Sequence, residues 1–357
     1  MKRWTLVVFI GFIFFISIAT FVTPDIDYSE NENRYLQSFP QFSIDKLLSG
    51  EFTSDFESYV QDQIVFRNSF INLKAHVALA LKMLENNDVY ITDDALVKQF
   101  IVNDQSTLEN NIAKINAFPY ATDVMIVPTA ASIEADILNP LSYNTNQEAL
   151  LAQIDKQLTQ NFINVYPSLA NGDSNYFKTD HHWNVYGAYA GYQYYMQAKQ
   201  KSLYNYTFSE VAKDFKGTVY SKSGLFDYPG ESFYTINEVA DLNLEVTIDG
   251  KDYTSVFFEE HLDTKDKYAY FLDGNHSLVS IHNEDINDGS SILLIKDSYA
   301  HIFTPFLLKN YENVYLIDLR FYQQPVSDFV ATNNIQDILV LYNLESFCTD
   351  TNLNLLR

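Results

Sequence analysis

Apolar and polar positions along this chain fall into blocks whose lengths and periods predict its elements. The first block, Trp4–Val22, holds no formal charge over a length able to cross the hydrocarbon core of a bilayer. Lys2 and Arg3 precede it, and Asp25, Asp27, Glu30 and Glu32 follow, an asymmetry that keeps the N-terminus inside and the bulk outside. The small residues Ser17 and Ala19 lie within the apolar run and make a poor cleavage site. Residues 1–23 therefore read as a membrane anchor, with a cleaved signal sequence and a secreted domain as the rival reading. Residues 24–51 are polar, include Pro40 and Gly50, and read as a stalk. From Asp55 to Leu84 the apolar positions Phe56, Tyr59, Val60, Ile64, Phe70 and Leu73 recur at helical spacing, predicting one long or broken amphipathic helix. Asp62 and Arg67 on it read as surface or capping charges.

Residues 52–357 read as one α/β domain. Helices are predicted over 106–118 and 147–160, and strands over 123–127 and 163–166. The runs Ser291–Ile295, Asn313–Ile317 and Asp337–Leu341 are continuously apolar, as strands buried on both faces must be. Helices over 299–310 and about 324–333 separate them. Five such strands with intervening helices predict a doubly wound parallel sheet of the flavodoxin-like kind, with helices on both faces. Ligands bind such sheets beyond the carboxyl ends of the strands. Between about 205 and 289 the pattern turns to Tyr- and Phe-rich stretches punctuated by glycine, which predict a small β-rich insertion.

Composition narrows the function classes. The formal charge of −23 is spread along the chain and repels nucleic-acid backbones. It also disfavours a polyanionic polysaccharide, so a neutral or amino-bearing glycan suits this surface better. Aromatic residues make up 15% of the chain, a composition found both in cores and on carbohydrate-binding surfaces. The one cysteine, Cys348, excludes an intramolecular disulfide and has no histidine near it in sequence to activate it.

Chemistry concentrates in Tyr176-Phe-Lys-Thr-Asp-His-His-Trp-Asn184 and Lys296-Asp-Ser-Tyr299. Ser298 follows a predicted buried strand and precedes a predicted helix, a turn that exposes a hydroxyl beside helix N-terminal N–H groups. In extended chain Asp180 and His182 project to the same side, so the carboxylate can fix the imidazole tautomer and His181 should point away. Asn184 is placed to cap the helix that begins near Tyr186. Asp180, His181 and His182 could alternatively be a fragment of a metal site, and His301, one turn after Ser298, is an alternative base.

Thr-Asp-His-His-Trp-Asn followed by Gly187-Ala-Tyr189 resembles the signature of the DHHW family of bacterial cell-surface proteins. Ile295–Ala300, Leu316–Tyr322 and Val340–Asn343 fit it as well, and the resemblance runs from about Glu32 to the C-terminus. That family in turn is similar to the SGNH-like proteins that O-acetylate alginate and other exopolysaccharides, whose Asp-x-His motif precedes the serine. The resemblance implies a triad of Ser298, His182 and Asp180, without metal or cofactor. It implies Arg320 as a substrate contact, and Asn275, Trp183 and Tyr299 join it as candidates. A turn role for Asn275 and packing for Trp183 are the competing readings. Lys296 departs from the family pattern, because SGNH enzymes carry glycine there. A lysine at that place would crowd the oxyanion side or meet substrate.

The function expected is a membrane-anchored extracellular O-acyltransferase, acetyl in related proteins. Ser298 would pass the acyl group to a polysaccharide, and a partner membrane-bound acyltransferase would supply it. A carbohydrate acetylesterase with the same triad, or a non-catalytic glycan-binding or scaffold protein of the cell envelope, are the alternatives.

Overall fold

The computed structural model describes residues 2–171 and 174–357. Met1, the first residue of the expected anchor, lies outside them. The chain divides into two compact units, Met1–Asn87 with Tyr220–Tyr228, and Asp88–Val219 with Pro229–Arg357.

In the first unit the apolar run forms helix α1 (Lys2–Val22), whose stretch Trp4–Val22 is long and apolar enough to cross a membrane. The stretch read as a stalk is folded in part. Tyr28–Ser29 (β1) pairs antiparallel with Arg34–Tyr35 (β2). Ser43 then caps α2 (Ile44–Ser49), accepting a bond from the Lys46 amide. Gly50, at φ 82, turns the chain into α3 (Glu51–Gln63). The predicted long helix is broken, because Phe66 takes a left-handed φ of 63 before α4 (Arg67–Ala80) begins. Gln63 explains the break: its side-chain amide bonds Ile26 and Gln37 backbone groups, drawing the end of α3 away from a continuous helix. Asp62 and Arg67 are not simple surface charges. Arg34 forms a bidentate pair with Asp62 at 2.9 and 2.5 Å, and Arg67 another with Glu32 at 2.5 and 3.0 Å.

The second unit opens with the hairpin β3 (Val89–Ile91) and β4 (Leu96–Lys98). Helix α5 (Ser106–Ala117), strand β5 (Asp123–Val127), the short α6 (Ala130–Ile133) and α7 (Gln147–Gln157) follow. The predicted strand Ile163–Tyr166 is instead β6 (Asn161–Phe162), with α8 (Tyr166–Ala170) directly behind it. Pro167 accounts for this, because its fixed φ suits the first turn of a helix and it has no N–H for a ladder. Asn184 caps α9 (Val185–Ala198) through the Tyr186 and Gly187 amides. A hairpin, β7 (Phe208–Phe215) with β8 (Glu231–Ile236), brackets α10 (Thr218–Ser223). Next come β9 (Leu244–Ile248), β10 (Lys251–Tyr253), β11 (Leu278–Asn283) and β12 (Ser291–Lys296). The chain closes with α11 (Ala300–Leu307), β13 (Asn313–Ile317), α12 (Val326–Asn333), β14 (Asp337–Asn343) and α13 (Leu344–Thr349).

The main sheet has the order β10-β9-β11-β13-β12-β14-β5-β6. Strands β13, β12, β14, β5 and β6 are parallel, as predicted. The region read as an insertion lying on the sheet partly extends it, because β9, β10 and β11 add an antiparallel edge. Sequence alone missed this because His282 and Glu245 interrupt the apolar pattern on the outward face of these strands. The chain leaves β12 for β13 on one side and then crosses from β13 to β14 on the other, so β12 sits at the switch point of the sheet. Its residues are all buried, and Ser298 lies just beyond its carboxyl end.

Trp183 ties α9 to α11. Its indole has no exposed surface, stacks on Phe303 at 5.8 Å, and donates its N–H to the Tyr299 carbonyl. Gly191 of α9 is required by that packing, since a Cβ there would come within 2.7 Å of the Trp183 ring. Gly191→Ala should therefore cost about 1–3 kcal/mol through overpacking of a site that cannot give. Urea unfolding of the full chain measures it, and a midpoint equal to wild type would contradict this packing.

Candidate functional site

The Tyr176–Asn184 segment is pinched at its base and bends at its tip. Tyr176 and Trp183 form a bridge, the Phe177 amide bonds the His182 carbonyl at 3.2 Å, and the Asn184 amide bonds the Asn175 carbonyl at 3.0 Å. Between these anchors residues 178–182 bend, in place of the extended chain assumed from sequence. Other elements hold the bend from outside. The Leu96 amide of β4 donates to the Lys178 carbonyl at 2.8 Å. Glu231, at the start of β8, accepts the Lys178 and Thr179 amides at 2.9 and 2.7 Å and the Thr179 hydroxyl at 2.6 Å.

That bend places Asp180 and His182 together. The Asp180 Oδ1 meets His182 Nδ1 at 2.5 Å and accepts the His182 amide at 3.0 Å. Its Oδ2 accepts the Thr218 amide at 2.7 Å and hydroxyl at 2.9 Å. Gly217 lets Thr218 come so close, because a Cβ at 217 would lie 2.3 Å from the Asp180 carboxylate. His182 Nε2 lies 2.7 Å from Ser298 Oγ, completing a continuous hydrogen-bonded row of acid, imidazole and hydroxyl.

Ser298 is fixed by its neighbours. The Asp297 carboxylate accepts the Tyr299 amide at 2.9 Å and the Asn343 amide and side chain at 2.8 and 2.6 Å, tying the turn to the end of β14. Tyr268 donates its hydroxyl to the Ser298 carbonyl at 3.0 Å, while its ring stacks on His182 at 3.8 Å and 10°. Ser298 itself keeps part of its surface exposed, whereas Asp180 and His182 are buried.

Charge at the row follows from burial and neighbours. Burial would raise Asp180, but the two adjacent imidazoles outweigh it and hold the carboxyl well below its usual range. Burial, reinforced by the His181 ring beside it, pushes His182 down to about 4. Burial also opposes a charge on His181, yet Asp180 prevails and holds that ring above its ordinary value. A neutral imidazole facing a hydroxyl, with a carboxylate behind it, results.

Several residues stand where the sequence did not put them. His181 does not point away, because its ring lies 3.9 Å from that of His182 and its Nδ1 contacts the Thr218 hydroxyl at 2.7 Å. Lys296 neither crowds nor reaches outward: it is 2% exposed and bonds Asp318 at 3.1 Å and His301 at 2.9 Å. The His301 ring spends its Nε2 on Lys296, and the residue meets Ser298 only through its backbone amide, which donates to the Ser298 carbonyl at 3.2 Å, so the ring is removed as an alternative base. Trp183 and Tyr299 are fully buried in the packing under the sheet, so neither can meet a substrate. The Tyr299 hydroxyl donates to the His181 carbonyl. Arg320 is half-exposed, clasps Asp318 at 2.8 and 2.5 Å, and donates to Asn275 Oδ1 at 2.8 Å. Asn275 thus presents its oxygen to Arg320. Cys348 is buried, and burial pushes its thiol up to about 12, far from a nucleophile.

Sequence reasoning missed Thr218, Glu231 and Tyr268. Gly217-Thr218 follows a strand and could have been marked as a close approach, whereas nothing in the sequence links Glu231 or Tyr268 to residues about fifty to ninety positions earlier. Ligand atoms of Asp180, His181 and His182 lie within 4.8 Å of one another, close enough to share an ion. Both ring nitrogens of His182 are already engaged, which favours the hydrogen-bonded row.

Residues 86–317 match the DHHW protein family. None of the curated proteins matches the chain. Among solved structures, a DHHW family protein from Eubacterium siraeum DSM 15702 superposes with a TM-score of 0.65 at 21% identity, covering 76% of this chain and 95% of that one. Bacillus cereus PatB1, in a structure with a sulfonyl adduct, gives a TM-score of 0.62 at 23% identity, covering 75% and 98%. Both share the fold of the chain. With the family matched over most of its length, the chain belongs to the DHHW family.

Proposed function

We propose that this protein is a serine acyltransferase, anchored in the membrane by α1 and acting outside it on a cell-surface or secreted polysaccharide. The carrying observation is the row Asp180–His182–Ser298, with 2.5 and 2.7 Å between successive partners. Neutral His182 accepts the proton as Ser298 Oγ attacks an acyl carbonyl, and Asp180 steadies the imidazolium that forms. The stacked Tyr268 ring favours that cation as well. Helix α11 begins two residues beyond Ser298, so the positive end of its dipole lies close to the serine and favours a developing oxyanion, while the Ala300 and His301 amides already bond the Asp297 and Ser298 carbonyls. The leaving group departs with the proton from His182. A sugar hydroxyl, deprotonated by the same imidazole, then attacks the acyl-serine and frees Ser298.

Arg320, with its guanidinium fixed by Asp318 and partly exposed, is the candidate contact for the acceptor or the acyl carbonyl. The acyl group, acetyl in this reading, arrives from a membrane-bound acyltransferase. The net charge of −23 favours a neutral or amino-bearing glycan over a polyanion. Hydrolysis would use the same acyl-serine, with water in place of sugar. Incubating the full chain with an activated acetyl ester, with and without oligosaccharides, separates the two. Transfer predicts acetylated sugar at the expense of free acetate, and hydrolysis unaffected by any acceptor contradicts it.

The histidines provide the next test. Removing a triad base lowers turnover roughly 10⁴- to 10⁶-fold, so His182→Ala and Ser298→Ala should both abolish acyl turnover. His181→Ala should keep a measurable fraction. Equal loss from both histidine variants, with wild-type activity lost to a chelator and restored by zinc, would establish a metal site instead.

Acid should act on the same group. A general base works only when neutral, so turnover should hold through neutral pH and fall as pH drops through the His182 value of about 4. A rate profile centred near the ordinary histidine value, about 6.5, would mean that His182 is not buried as described.

A further inference from the structure

Helix α4 is apolar on two faces, and the first unit covers only one of them. Ala75 and Ala78 are buried and Ile71 half-buried, which accounts for the inner face. Phe66, Phe70, Leu73 and Val77, spaced four, three and four, make a second stripe that is 57, 38, 58 and 48% exposed. A contiguous apolar stripe left bare marks an interaction surface.

Two observations name what covers it. The first is position. The Val65 amide, at the elbow between α3 and α4, donates to the Thr20 hydroxyl of α1 at 3.2 Å. Thr20 lies two residues before the end of the membrane-length run Trp4–Val22, about 3 Å along a helix. The elbow is therefore held where α1 leaves the hydrocarbon, and α4 starts there. The second is charge. Residues 64–84 contain Arg67, Lys74, His76 and Lys82 and no acidic residue, in a chain of net charge −23. Arg67 pairs with Glu32 and Lys74 donates to Asn87, which sets these two cations along the helix beside the stripe. A helix with an apolar stripe bordered by cations suits the interface of an anionic bilayer.

We infer that α4 is an interfacial membrane helix, its Phe66–Phe70–Leu73–Val77 stripe set into an anionic lipid leaflet beside the exit of α1. This makes the first unit a two-point membrane mount, with a spanning helix and a surface helix joined at the Val65–Thr20 contact. It rests on α1 as an anchor and is independent of the chemistry at Ser298.

The full chain in nanodiscs of phosphatidylcholine and phosphatidylglycerol tests it. Nitroxide labels go on Leu73→Cys and Val77→Cys, with Asn68→Cys and Leu79→Cys on the opposite side of the helix and Phe9→Cys reporting α1. Cys348 is buried and stays unlabelled. Collision with oxygen, which concentrates in lipid, should exceed collision with a water-soluble nickel chelate at 9, 73 and 77. The order should reverse at 68 and 79. Lys74→Glu should lower the oxygen-to-nickel ratio at 77, as should omitting phosphatidylglycerol. Labels at 73 and 77 as open to nickel as that at 68 would overturn the inference, and so would a water-exposed label at 9. Labels at 73 and 77 shielded from both reagents would mean that a protein surface covers the stripe, which also overturns it.

Discussion

A buried carboxylate is the constraint around which the second unit is arranged. Asp180 is 3% exposed, and a charge so placed costs several kcal/mol unless hydrogen-bond donors surround it. Its donors come from two segments far apart in sequence: His182 beside it, and Thr218 after β7. Glycine at 217 is a consequence, since any side chain there would occupy the place of the carboxylate. The β7–β8 hairpin therefore does more than decorate the sheet. At one end of it, where Phe215 pairs with Glu231, Thr218 after β7 donates to Asp180 and Glu231 of β8 holds the loop that presents it.

A second buried charge system lies behind the serine. Lys296, Asp318 and Arg320 form a chain of ion pairs, with His301 accepting from Lys296. Burial pushes Lys296 below its usual value while Asp318 opposes it, and His301 is held well below its ordinary value by burial and by Lys296. Where the resemblance led to glycine, this chain has placed an internal cation that links β12 to β13 and onward to Asn275. The departure alters the support of the Ser298 turn and leaves the serine–histidine row intact.

How far the sequence reached follows from which forces are local. The parallel strands were legible because both faces are buried, so their apolar runs are unbroken; Asn313–Ile317 is a strand with the predicted bounds. Asn184 as a helix cap was legible because capping spans three residues. The pairing of Asp180 with His182 was anticipated, but through an extended geometry that the bend at 178–182 replaces. Short antiparallel strands were legible between 205 and 289, but their joining the edge of the main sheet was not, because the register of β9 and β11 is set by distant partners. Nor were Tyr268 and Glu231, whose roles exist only once the hairpin and the loop between β10 and β11 have folded against the Asp-His-His-Trp segment. The direction of Lys296 depended on Asp318 and His301, a buried partnership that spacing does not reveal.

The central claim is that Ser298 carries the acyl group. Mass spectrometry of the full chain, quenched in acid during turnover of an activated acetyl ester and then mapped by proteolysis, tests it most directly. The account predicts one acetyl group on the peptide containing Ser298, absent from His182→Ala. Turnover with acetyl on another residue, or with no acyl-enzyme trapped at any quench time while acetate or product accumulates, would contradict it.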